Sequence, residues 1–187
     1  MTSALLEILE TERNYVSVLK LISNKFQAPM QKEMQAIEIN SKELQQIFGN
    51  FNELMQLHVD FLKEMELIFK QDQFSSPQRK ILAQDSCIQI CNELSDLFVS
   101  KQKKMANVYA KYAANCQTAL DTIEILKQRK LFKNWWSIVH VDPDLKRLKL
   151  DDYLLNPIKR LPLYILLLQA VSKHLSKQTQ EHDKMLS

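Results

Sequence analysis

One glycine, Gly49, stands among 187 residues, and that scarcity narrows the accessible folds more than any motif does. Tight β-hairpin turns and phosphate-cradling loops both draw on glycine's conformational freedom. A lone glycine builds neither a P-loop nor a dinucleotide fingerprint, which sets aside ATP-site and Rossmann readings. A chain poor in glycine and rich in Leu, Lys, Gln and Glu favours long helices. Its length suits one domain with a sizeable core, and 45% apolar against 25% charged residues argues against disorder.

The 25 basic and 22 acidic residues leave a formal charge of +3, too balanced to call for nucleic acid. Basic residues are somewhat denser after Lys101, as at Lys127-Gln-Arg-Lys130. A solvated face is the plain reading of them, and a weak attraction to acidic lipid the alternative. Three cysteines, Cys87, Cys91 and Cys116, have neither Cys-x-x-Cys spacing nor a histidine at ligand spacing. They read as buried, reduced side chains, and neither a metal nor a cofactor is expected. No signal peptide is apparent, and the longest apolar run, Leu163 to Leu168, is six residues against the roughly 18 to 20 of a membrane helix. A cytoplasmic protein is expected, with membrane contact at most peripheral.

Apolar spacing of three and four predicts a helix over 3–27, with Ser3 as its cap and Pro29 as its stop. A second stretch covers 42–71 with a break near Gly49-Asn50, and a loop follows over 71–78 around Ser75-Ser76-Pro77. Further helices are expected over 79–100 and 101–129, then a short element from Lys133. A turn at Asp142-Pro143-Asp144 leads to a last helix over 150–176. The whole reads as a single all-α domain, an elongated helical bundle.

Two places break the pattern. The first helix carries an apolar stripe of Leu5, Ile8, Leu9, Tyr15, Val16, Leu19, Ile22 and Phe26, and Glu12 lies inside that arc. A carboxylate there is either buried against a Lys or Arg of a neighbouring helix, or held at a cleft for a partner. The second place is Tyr153 to Leu168, apolar around its whole circumference, with Pro157 and Pro162 on either side of Lys159-Arg160. Pro157 fits a first helical turn, whereas Pro162 removes a ladder bond and predicts a kink. Leu154, Leu155, Ile158, Leu161, Tyr164, Ile165 and Leu168 are expected to face inward, leaving Leu163, Leu166 and Leu167 pointing elsewhere. Such a helix is either central or carries a docking face.

These segments resemble the Dbl-homology domains of Rho-family guanine nucleotide exchange factors. Glu7-Ile-Leu-Glu-Thr-Glu-Arg-Asn-Tyr-Val16 is similar to the family's first motif, E-L-L-x-T-E-x-x-Y-V. Ile47-Phe-Gly-Asn-Phe through His58-Val-Asp-Phe-Leu62 is similar to the second, and Leu154 to Leu168 to the third, L-L-x-P-x-Q-R-L-x-R-Y-x-L-L-L. Asn92-Glu-Leu-Ser-Asp-Leu-Phe98 also resembles the family's G-D-x-F element. The motifs run in order over about residues 3 to 180.

The resemblance implies a bundle without covalent chemistry, not an enzyme in its own right. It would bind a Rho-, Rac- or Cdc42-like small GTPase, remodel its switch segments and release GDP by favouring the empty state. It implies GTPase contacts at Glu12, Leu148, Lys159, Arg160, Leu163 and Leu166. Two departures stand out: Lys159 replaces the family's Gln, and Leu163 replaces a base that meets the second switch. Leu163 therefore opens an alternative, a scaffold that binds a GTPase or another protein without exchange. The resemblance further implies that residues 1–187 are a single Dbl-homology domain lacking most of the family's last long helix and the lipid-binding pleckstrin-homology domain after it, through which membrane recruitment would arise. None of His58, His140, His174 and His182 has a partner at a catalytic motif spacing, so hydrolase or transferase chemistry is not expected. His58 reads as a core histidine, and Trp135 and Trp136 as packing anchors.

Overall fold

A computed structural model describes residues 2–71, 84–145 and 149–186. Among them the regular elements are all helical: α1 (Thr2–Ile22), a π-helical turn (Ser23–Gln27), α2 (Ala28–Glu33), α3 (Ser41–Phe48) and α4 (Phe51–Gln71). After these come α5 (Gln84–Leu126), α6 (Lys130–Val139), a 3₁₀ turn (Pro143–Leu145), α7 (Leu150–Leu154) and α8 (Asn156–Leu186). The all-α expectation holds. The apolar stripe of α1 is buried along its length and packs against α4 and α8, while α4 and α3 lie on α5.

The predicted stop at Pro29 does not occur. Residues 23–27 widen into a π turn, in which the Ala28 N–H bonds to the Ser23 carbonyl, and Pro29 then sits in the first turn of α2. There its missing N–H disrupts no helical bond. Ser3 lies inside α1 and does not precede it. The break near Gly49 is present: its N–H caps α3 on the Gln45 carbonyl at 2.7 Å, with φ at +49°. A Cβ at Gly49 would come within 2.8 Å of Asn115 Nδ2, and that amide in turn donates to the Gln46 carbonyl.

The two helices expected over 79–100 and 101–129 are one. α5 runs without a break across Ser100-Lys101, where no Gly or Pro interrupts it and the Ser100 hydroxyl bonds back to the Leu97 carbonyl. The expected loop over 71–78 lies outside the described residues beyond Gln71, and so does Leu148. Asn40 begins α3 with a reciprocal capping box to Glu43, and Arg129, the residue just before α6, grips Glu43 and the Glu38 carbonyl. That clamp holds the 34–40 connection against the body.

The faces of α8 also differ from expectation. Pro157, Arg160, Tyr164, Leu167 and Val171 point inward at helical spacing. Ile158, Ile165 and Leu168 are exposed, though each was expected inside, and Leu167 is buried. The circumference is apolar because α8 presents two further faces. One borders α1, and the other, with Leu161, Ile165 and Leu168, borders Phe98, Val99 and Met105 of α5 across a groove of ≈ 460 Å³. Pro162 sits inside α8, which continues to Leu186. Pro162 itself is exposed, so water can reach the carbonyl that its ring leaves unbonded.

Candidate functional site

The acid on the apolar stripe is wholly interior: Glu12 is 0% exposed. Its Oε1 accepts from His58 Nδ1 at 2.8 Å, and its Oε2 accepts from Arg160 Nη2 at 2.5 Å and from the Tyr164 hydroxyl. A carboxylate only accepts, so His58 Nδ1 carries a proton and donates it. His58 Nε2 shares a 2.8 Å hydrogen bond with the Tyr109 hydroxyl, and Tyr109 oxygen lies 3.4 Å from that of Tyr15. His58 and Arg160 are 0% and 3% exposed. The guanidinium lies over the Tyr164 ring, 4.3 Å from its centroid.

This cluster sets the Glu12 carboxylate against the Arg160 guanidinium, both out of solvent. Burial pushes the Glu12 carboxyl up, but the hydrogen bond and charge interaction with His58, the Arg160 charge and the Tyr164 hydroxyl outweigh it and bring it below the ordinary range. Burial drives the Tyr164 phenol well up, and the neighbouring carboxylate adds to this. The cluster thus pins α8 to α1 and α4, and it exposes no carboxylate at a cleft. Glu12 and Arg160 were both expected at a partner surface; each instead neutralises the other in the interior.

What does face outward is the seam between α1 and α8. Thr11, Asn14, Tyr15 and Val18 line one side and Asn156, Lys159, Arg160 and Leu163 the other, around ≈ 310 Å³. The helices run antiparallel, since Phe26 meets Tyr153 and Glu12 meets Arg160 and Tyr164. On α8 the outward row is Asn156, Lys159, Leu163 and Leu166, with Lys159 exposed, Leu163 half-buried and Leu166 62% exposed. On α1 the spacing 7, 11, 14, 18 extends the row to Glu7, an exposed acid that the antiparallel run brings towards Leu166. Glu10, about 60° further round α1, pairs with Arg13 at 2.7 Å.

Of the six predicted contact residues, Lys159, Leu163 and Leu166 share one outward row, Glu12 and Arg160 lie beneath it, and Leu148 is outside the described residues. The acid that sequence reasoning passed over at this surface is Glu7. The signal was available: Glu7 lies off the centre of the apolar arc, where an acid remains solvated. Among the described residues no group of His, Cys, Asp or Glu is arranged to hold a metal ion. Nor, among them, is any helix long and apolar enough to cross a membrane.

The family model described as "RhoGEF domain" matches residues 4–187. Human Protein ECT2 is 26% identical over 176 residues, covering 94% of this chain and 18% of that protein. Human Rho guanine nucleotide exchange factor 11 is 31% identical over 103 residues, covering 51% of this chain and 7% of that protein. The chain therefore spans less than a fifth of these curated relatives. Among solved structures, Vav1 with an allosteric inhibitor superposes at a TM-score of 0.74 with 25% identity, over 92% of this chain and 27% of that one. A complex of human RhoA with the DH/PH fragment of PDZRHOGEF gives 0.74 with 24% identity, over 91% of this chain and 44% of that one. An all-helical bundle carrying three ordered motifs, matched nearly end to end, belongs to the RhoGEF (Dbl-homology) domain family.

Proposed function

We propose that this domain is a guanine nucleotide exchange factor for a Rho-family small GTPase, and that the GTPase docks on the α1–α8 seam. Family membership supports the activity, and the outward row of Lys159, Leu163 and Leu166 beside Glu7, Thr11 and Asn14 supports the location. The seam carries what a switch segment needs: an acid and a base to fix backbone and side-chain polar groups, and apolar surface between them. Exchange then follows from linkage. A surface that fits the empty GTPase better than the loaded one weakens nucleotide binding by the same coupling free energy.

Glu12 and Arg160 take a different part in this reading, as interior residues that set how α8 presents Lys159 and Leu163. Glu7 takes the outward acidic role. The test is release of a fluorescent GDP analogue from RhoA, Rac and Cdc42. Acceleration of at least one is expected, with Glu7→Ala and Leu166→Ala each reducing it about tenfold or more, as for interface anchors worth over 1 kcal/mol. If every GTPase keeps its nucleotide at the spontaneous rate, the exchange reading is wrong.

One observation supports a second reading. Leu163 puts a methyl-rich side chain in the seam where the resemblance implies a base. A scaffold that binds the GTPase without exchange would show complex formation with no change in release rate, and Leu163→Lys would then create or raise the rate.

A further inference from the structure

We propose that His58, on α4 and outside the α1–α8 seam, is a positioning residue for exchange: it holds Glu12 so that Glu12 can set the orientation of α8. This deepens the reading of the seam as the GTPase surface and rests on it. α4 contributes no side chain to the seam, so any effect of His58 on the partner passes through the interior.

The path is short and fully described. His58 Nδ1 meets Glu12 Oε1 at 2.8 Å, and the other carboxylate oxygen holds Arg160 and Tyr164. Those two α8 residues alternate in sequence with Lys159 and Leu163 of the seam. On the far side, His58 Nε2 is held by the Tyr109 hydroxyl at 2.8 Å. The ring is fixed edge-on by Tyr15 at 4.7 Å and by Phe61 at 6.4 Å. The titratable groups facing it are thus Glu12 and Tyr15 from α1, Tyr109 from α5, and Tyr164 from α8. One imidazole joins four helices, and every polar member of the cluster is buried.

Helix geometry turns this into a mechanism. A side chain stands about 5–6 Å from its helix axis, so a rotation of about 20° moves its tip by about 2 Å. Misplacement on that scale is enough to cost a large factor in a geometry-dependent step. Without the Nδ1–H donor, Glu12 loses one of the bonds that fix its carboxylate plane. Arg160 and Tyr164 then no longer have a single seat, and Lys159 and Leu163 lose their register with Asn14 and Thr11.

Two amides separate this from mere core packing. In His58→Asn the amide nitrogen stands near the former Nδ1 and still donates to Glu12, while the bond to Tyr109 is lost. In His58→Gln the amide reaches the Tyr109 side, and the donor to Glu12 is lost. Each variant forfeits one hydrogen bond in the same cavity, a loss that a domain of this size withstands. Release of the fluorescent GDP analogue is measured where melting curves hold both variants folded. His58→Asn is expected within about threefold of the wild type, and His58→Gln slower by about tenfold or more, as for one charge-assisted bond.

Backbone amide hydrogen exchange over 159–167 reads the same effect without a GTPase. Protection is expected to persist in His58→Asn and to fall in His58→Gln. Equal rates and equal protection in the two variants overturn the positioning role while leaving the exchange reading intact. A wild type inactive on every GTPase overturns the exchange reading. The amide protection then decides whether His58 still orients α8.

Discussion

At the scale of single residues, the interior ion pair behaves unlike a surface one. Removing Glu12 leaves the Arg160 guanidinium without a counter-charge in a dry site, and such a change costs about 3–5 kcal/mol. For a chain of this size that is a fall in melting temperature of roughly 10 °C. Glu12→Ala is therefore expected to lose exchange activity largely by destabilisation, visible in a thermal melt taken beside the rate. A combined Glu12→Leu, Arg160→Met variant is expected to recover part of the loss, since it leaves no orphaned charge.

The pH dependence has a definite sign. The folded-state Glu12 carboxyl titrates below its unfolded value, so its stabilisation is complete above the ordinary range near 4.5 and vanishes as pH falls through the lower folded value. Acid titration of the wild type and Glu12→Gln, followed by circular dichroism, should give a shallower acid limb in the variant. Sequence exposed the anomaly at Glu12 but could not choose between cleft and interior. That choice depends on Arg160 and His58, which lie 148 and 46 residues away along the chain. Periodicity reports which face a residue occupies, and the partner that satisfies it is a tertiary fact.

At the scale of elements, Gly49 is the one position where glycine is irreplaceable. Its backbone lies in a region that side chains rarely adopt, and a Cβ would press on Asn115. Gly49→Ala is expected to cost about 1–3 kcal/mol, measured by urea unfolding, with both α3 and α4 losing their register. Breaks of this kind were legible, because Gly49-Asn50 carries its own chemistry. The false break at Ser100-Lys101 had no such residue, and the 43-residue helix passes through it, meeting different neighbours along its length. The opposite error came at Pro29. Proline ends a helix only where its absent N–H was needed, and the π turn over 23–27 puts it where none is. On α8, the assumption of one inward face misassigned Ile158, Ile165 and Leu168, because three sets of neighbours divide the circumference.

At the scale of the whole molecule, the groove between α5 and α8 leaves Val99, Ile165 and Leu168 in water beside Phe98 and Met105. Native protein is expected to enhance the fluorescence of an apolar dye there, and Ile165→Asp to reduce it. Stability should change by about 0.5 kcal/mol or less, since the replaced side chain is already 59% exposed. The groove stands beside α5, whose 43 residues span roughly 65 Å at 1.5 Å each. A compact sphere of this chain length would measure only about 40 Å across. A body with such a spine tumbles end over end more slowly than it spins about its length. The indoles of Trp135 and Trp136, locked in the core, would report that as two rotational correlation times in a polarised emission decay. Seating a second globular domain on α1 and α8 rounds the particle, so the two times should draw together as the complex forms.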